Sequence, residues 1–386
     1  MIRTYEEINE KIQSGDIAVF TAEEAIAMCK EQGHKKAYEN IDVVTCATFG
    51  MMCSSGAFFN FGHTDKRIRM SEITMNNVPA SGGLAAVDTY LGATQGSLDR
   101  PMTYGGAHVI EELLKGEKIN LHAKSYGTDA YPRKEAAAEI GLEDMNQAYM
   151  YNPRNCYQNY SAATNCGEKT IHTYMGTLFP DCGNVNYSTS GELSPLLKDP
   201  YMRTIGMGTK IFLGGAQGYV TWQGTQSEQN VTEYEDGVNF SGGTLAVIGD
   251  LKKMSPRYIR AAVMKNYGIS MYVGIGIPIP VLDIDLFEDL TRTNDELYTN
   301  FIDYSTGALK MPQLGRVSYA QLRSGRVELN GKQVPTAPMS SLFMAREIAQ
   351  NLKENIKEGS FTLNKPIKEV DMFSEFKPLK LKEEEQ

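Results

Sequence analysis

No stretch of this 386-residue chain stays apolar for the length of a membrane span. The longest apolar run, ISMYVGIGIPIPVL, is broken by glycine and proline and suits a buried strand with its exit loop. The N-terminus, MIRTYEEINEKIQSG, lacks the apolar centre of a signal peptide, so the expected compartment is the cytoplasm. Basic residues form no cluster, and a net charge of −9 opposes phosphate, which excludes a nucleic-acid face. The cysteines, Cys29, Cys46, Cys53, Cys156, Cys166 and Cys182, contain no CxxC pair, and the histidines no HxxxH pair. A structural zinc site therefore has no ligand pattern, and in a reducing compartment thiols are expected rather than disulfides. FLGGAQGY and VGIGIPIP fit neither GxGxxG nor a P-loop, so the signal for nucleotide binding is weak. Repeats and low-complexity segments are absent as well.

What is present reads as a globular α/β protein. Apolar residues make up 41% and charged residues 22%, an ordinary mix for a chain with a large core. Thr4 with Glu7, and Thr21 with Glu24, have capping-box spacing, and Gly15 and Gly33 are fitting stops. Ile17 to Phe20 and Ile41 to Thr48 read as strands, the second leading into a loop that holds Cys53. Thr244–Gly249, a helix opened by Ser255 and Pro256, and Ile269–Ile277 read as a βαβ unit with parallel strands. A helix is expected from about Ser341 to Glu358, with Ile348, Leu352 and Ile356 on its buried face. Residues 152–191 read as functional loop with short strands. The expected architecture is a partly parallel mixed sheet with flanking helices, two-lobed and CoA-transferase-like. It forms one catalytic domain over 1–370, with a lobe break near 195–240 and a charged tail over 371–386.

Cys53 is the leading chemical candidate. Gly50 and Gly56 flank it, and Ser54 and Ser55 offer hydroxyls that stabilise a thiolate, the reactive form. The competing reading is a buried structural cysteine. In AKSYGTDAYPRKE, Arg133 and Lys134 suit an anion, against the simpler reading of a solvated turn. Arg154, Cys156, Asn159, Asn165 and Cys166 fall in a run dense in amides and aromatics, suggesting a polar ligand site. Cys156, Cys166 and Cys182 are also candidate iron–sulfur ligands, at a spacing that matches no ferredoxin pattern. His63 and His108 follow glycines and are candidate acid–base groups; partly buried, satisfied histidines are the alternative. Cys29 and Cys46 belong to a helix and a strand and read as core.

The strings TFGMMCSSGAFFNFGH, YGGAHVIEELLKG, SYGTDAYPRKE, NQAYMYNPRNCYQNYSAATN, STSGELSPLL and FLGGAQGYVTWQGTQ together resemble the homocysteine biosynthesis protein family. The resemblance extends from near the N-terminus to about residue 360 and implies an L-aspartate semialdehyde sulfurtransferase. Such an enzyme makes homocysteine from the aldehyde, sulfide and two electrons. It implies no tightly bound cofactor and a separate ferredoxin-like iron–sulfur protein as electron source; composition adds the expectation of no membrane or nucleic-acid partner, and a homodimer is left open. Some archaeal members add C-terminal regulatory domains, for which this chain is too short. Cys53 takes the place of the family's cysteine in CSSG. The family's second cysteine falls at position 130, where this chain has Ala130 inside an otherwise intact GTDAYPR; an engineered Cys→Ala change fits this best, a different thiol being the alternative. The resemblance thus implies a persulfide on one of two exchanging thiols, with residues 53 and 130 close enough for a disulfide. Arg133 or Arg154 is expected at the substrate carboxylate, Asp129 at its ammonium, Ser54, Ser55, Gly56 and Asn159 around it, and His63 or His108 as proton donor. A non-catalytic sulfur carrier for the redox partner and a CoA-transferase-like enzyme are the rival readings.

Overall fold

The computed structural model describes residues 2–154, 160–371 and 377–379. Local chemistry sets the first helices. Thr4 accepts the Glu7 N–H, the Glu7 carboxylate accepts the Thr4 N–H, and the helix Tyr5–Ser14 ends at Gly15 with φ 80°. Thr21 and Glu24 do the same for Ala22–Gln32. The final helix, Leu342–Lys357, buries Ala345, Ile348, Ala349, Leu352 and Ile356, the stripe that its periodicity predicts. No helix among the described residues is long and apolar enough to cross a membrane.

Two large sheets carry the fold, with helices flanking them. The order in the 14-stranded sheet starts Val19–Thr21, Val43–Met51, Gly268–Pro280, Lys210–Leu213, Ala216–Gln223, Leu245–Asp250, Gln147–Asn152, Gly56–Asn60. It continues Asp88–Gly92, Val78–Ser81, Glu72–Met75, Ile119–Lys124, Glu135–Ile140. Val43–Met51 is buried at every residue, consistent with its unbroken apolar, β-branched sequence. That strand and Gly56–Asn60 are six strand steps apart, about 29 Å across a flat sheet at ~4.8 Å per step. The chain from Met51 to Gly56 reaches at most about 18 Å. The sheet must therefore curl, and the turn bearing Cys53 bridges the two edges of that curl.

The smaller, 8-stranded sheet is mixed. Leu297–Asp303 runs parallel to Ala162–Thr164 and to Gly237–Ser241, and Val185–Tyr187 parallel to Lys332–Pro338; its other pairings are antiparallel. The stretch 152–191 contributes short strands, as its composition suggests. One contiguous apolar cluster joins residues of both sheets.

Two expectations are corrected. Ser255–Pro256 opens a turn, not a helix, and Ile259–Met264 is a strand antiparallel to Gly268–Pro280. The apparent helical stripe is a β-hairpin: Ile259 and Val263 favour extended backbone, and Asn266 (φ 53°) and Gly268 (φ 120°) supply the reversal. The second correction concerns Cys166 and Cys182, which form a disulfide. The backbone brings them together, since Cys182 N–H donates to Asn165 O at 2.8 Å and Asp181 N–H to Gly167 O at 3.0 Å. Sulfurs bonded to each other are not iron ligands, and Cys156 lies outside the described residues. Among the described residues no group of three His, Cys, Asp or Glu side chains is placed to hold a metal.

The motif YGGAH proves to be a packing device. Gly106 starts the helix Gly106–Leu114 directly on the Gly92 carbonyl, where a β-carbon would overlap that oxygen.

Candidate active site

Cys53 sits in the turn Met52–Ser55. Met52 N–H donates to Met271 O (2.7 Å) and Ser55 N–H to Met52 O (3.1 Å). Because Met51 pairs with Tyr272, the antiparallel register brings Cys53 level with Ser270. Ser270 is fully buried, and its hydroxyl lies 3.0 Å from the Cys53 sulfur. Burial pushes the half-buried thiol up; the Ser270 hydroxyl, the residue's own backbone N–H and the Arg154 charge pull it back without cancelling the burial. The sequence points to Ser54 and Ser55 as the thiolate's donors. Here Ser54 instead accepts from Arg154 Nε at 3.3 Å, and Ser55 accepts from Asn152 Nδ2 at 3.0 Å, which locks the turn to the neighbouring strand.

The thiol opens into a cavity of about 900 Å³ between the two sheets. Ser54 and Arg154 line it on the large-sheet side, and Gln226, Glu228 and Asn230 on the other. Four tyrosines, Tyr160, Tyr174, Tyr267 and Tyr304, form an aromatic wall, with Tyr174 and Tyr304 hydroxyls 3.1 Å apart and the Tyr160 and Tyr174 rings 5.2 Å apart. Burial raises Tyr160 and Tyr304 well above the ordinary phenol range and Tyr267 to about 12, so all three stay protonated donors. Sequence reasoning missed Ser270, Glu228, Tyr174, Tyr267 and Tyr304. They lie far from Cys53 in the chain and sit in no motif of their own.

Of the residues expected at the site, Cys53, Ser54 and Arg154 are brought together, with Ser55 beneath them. Gly56 is adjacent, but its role is backbone packing: a β-carbon there would meet the Leu91 carbonyl at 2.5 Å. Asn159 and Cys156 lie outside the described residues. Residue 130 is elsewhere. The register Phe58, Tyr90, Ser81, Glu72, Lys124, Glu135 crosses five strand steps, about 24 Å along the sheet. The turn after Lys124 extends from the Asn60 end of these strands, whereas Cys53 precedes the Gly56 end. Ala130 and Asp129 are exposed in that turn. Tyr131 packs on His63 at 5.9 Å, and Arg133 Nε donates to Lys66 O at 3.2 Å. The pairing of residues 53 and 130 within one chain, and substrate roles for Asp129 and Arg133, are not what this geometry provides. His63 is exposed beside that turn. His108 Nδ1 accepts the Gly105 N–H at 3.2 Å, and burial lowers its pKa, so it is a neutral helix cap outside the cavity.

Residues 17–363 match the family model described as homocysteine biosynthesis enzyme, sulfur-incorporation. An L-aspartate semialdehyde sulfurtransferase of Methanosarcina acetivorans is 47% identical over 98% of this chain and 74% of its own length. One of Methanocaldococcus jannaschii is 47% identical over 98% of this chain and 75% of its own length. An uncharacterized protein of Methanothermobacter thermautotrophicus is 28% identical over 76% of this chain and 66% of its own. No solved structure matches the chain.

Proposed function

Since the chain belongs to the sulfur-incorporating homocysteine biosynthesis enzymes, we propose that it is an L-aspartate semialdehyde sulfurtransferase with Cys53 as its sulfur carrier. The observation that carries this is a half-buried thiol, hydrogen-bonded to Ser270 and facing Arg154, at the floor of a polar cavity. Hydrosulfide can open a disulfide between Cys53 and a second thiol to a Cys53 persulfide and a free thiol, the disulfide being the oxidant; the persulfide anion can then attack an aldehyde carbon, and the freed thiol displaces the new C–S group and restores the disulfide. Arg154, fixed one residue away through Ser54, is suited to the substrate carboxylate. The protonated tyrosine wall offers hydroxyls to the alkoxide that forms on the former aldehyde oxygen, a task that neither His63 nor His108 is placed to perform. Turning aldehyde and sulfide into a thiol consumes two electrons, and a separate ferredoxin-like protein is our expected source. A two-thiol cycle needs a mate for Cys53; position 130 does not supply it within one chain, and Cys29 and Cys46 do not line the cavity. We also read the two sheets as the two lobes, because the cavity walls come from both; a CoA-transferase-like arrangement rests on sequence pieces alone.

The test is homocysteine formation from L-aspartate semialdehyde, sulfide and a low-potential reductant. The protein with Ala130 as it stands is expected to form it and Cys53→Ser to lose it at unchanged fold, judged by circular dichroism. Full activity in Cys53→Ser would remove the carrier role.

A further inference from the structure

The residues that line the cavity are uncharged, with one pair of exceptions. Among the described residues that line it, Arg154 is the one cation and Glu228 the one acid. They come from opposite sides. Arg154 follows the strand Gln147–Asn152 of the large sheet, its N–H donating to Asn152 Oδ1 at 2.9 Å. Glu228 precedes the strand Asn230–Tyr234 of the small sheet, its N–H donating to Gly242 O at 2.9 Å. Both backbones are thus fixed, and no ion pair among the described residues joins the two side chains. An acid and a base held apart across a cavity present complementary charge to a ligand bearing both signs.

We infer that Glu228 is the receptor for the substrate ammonium, opposing Arg154 at the carboxylate, so that the cavity selects α-amino-acid zwitterions over simple aldehyde acids. This rests on the proposed function and deepens it. Arg154 Nε is tied at 3.3 Å to the hydroxyl of Ser54, the residue next to Cys53, so a carboxylate on Arg154 holds a short substrate on the Cys53 side of the cavity. Glu228 therefore discriminates on the amino group, whereas Arg154 acts on every carboxylate-bearing substrate alike.

Two measurements test this. The first is the ratio of kcat/KM for L-aspartate semialdehyde to that for succinic semialdehyde, which lacks only the ammonium. Glu228→Gln is expected to lower the ratio about tenfold, with the loss confined to the amino-acid substrate. Arg154→Ala is expected to lower both values together. A ratio that changes less than about twofold in Glu228→Gln overturns the assignment. The second is calorimetric binding of L-homocysteine against 4-mercaptobutanoate, which needs no turnover. Tighter binding of homocysteine that Glu228→Gln abolishes supports the assignment even if the wild-type protein fails to convert the aldehyde, a failure that would sink the proposed function instead. Equal binding of the two ligands by wild-type protein overturns it.

Discussion

Ser270→Ala tests the central piece of geometry most directly. The substitution removes a hydroxyl 3.0 Å from the Cys53 sulfur in a strand position with no solvent to replace it. A hydrogen bond to a charged group is worth about 1.5–3 kcal/mol. The same hydroxyl also contacts the neutral thiol, so the differential effect lies near the lower figure, roughly a tenfold loss of thiolate at a fixed pH below its titration. Nucleophilicity rises as the thiol becomes more basic, with a Brønsted slope of about 0.4–0.5, which returns roughly threefold. The net expectation is alkylation of Cys53 about three- to fourfold slower near neutral pH, and roughly threefold faster at the high-pH plateau. The sign follows from linkage: the donor favours the thiolate, so its loss moves the titration of Cys53 to higher pH. The assay is iodoacetamide labelling across a pH series, with modification of the Cys53 peptide read by mass spectrometry so that Cys29 and Cys46 do not contribute. A pH profile that stays put or moves to lower pH would show that the Ser270 hydroxyl does not stabilise the thiolate.

Two further expectations concern the surrounding fold. Ala130→Cys should form no disulfide with Cys53 within a monomer under mild oxidation, because the two positions lie at opposite strand ends and four to five strand steps apart; a cross-linked 53–130 peptide from monomeric protein would contradict that placement. Gly106→Ala should destabilise the protein by about 2 kcal/mol or more, seen as a lower denaturant midpoint, since the new β-carbon overlaps the Gly92 carbonyl and the strand must shift to admit it. An unchanged midpoint would mean that the helix is not seated on that strand.

Local rules written in short stretches of sequence carried over directly. The capping boxes at Thr4 and Thr21, the glycine stop at Gly15 and the buried stripe of the last helix depend on contacts between residues three or four apart, which spacing alone specifies. Cys53 was legible too, because a thiol between glycines after a buried strand is a local pattern. The hairpin at 259–280 was misread because its apolar spacing suits a helix as well as a strand, and pairing with Val43–Met51 and Lys210–Leu213 decides the matter. What only the tertiary structure decided was which distant residues meet the sulfur. Ser270 reaches Cys53 through the register of one antiparallel pair, and Glu228 and Tyr304 reach the cavity because a second sheet packs across from the first. Position 130, which the family resemblance sets beside Cys53, is carried to the far edge by strand order. Register and strand order are properties of long-range pairing, and no window of sequence contains both partners.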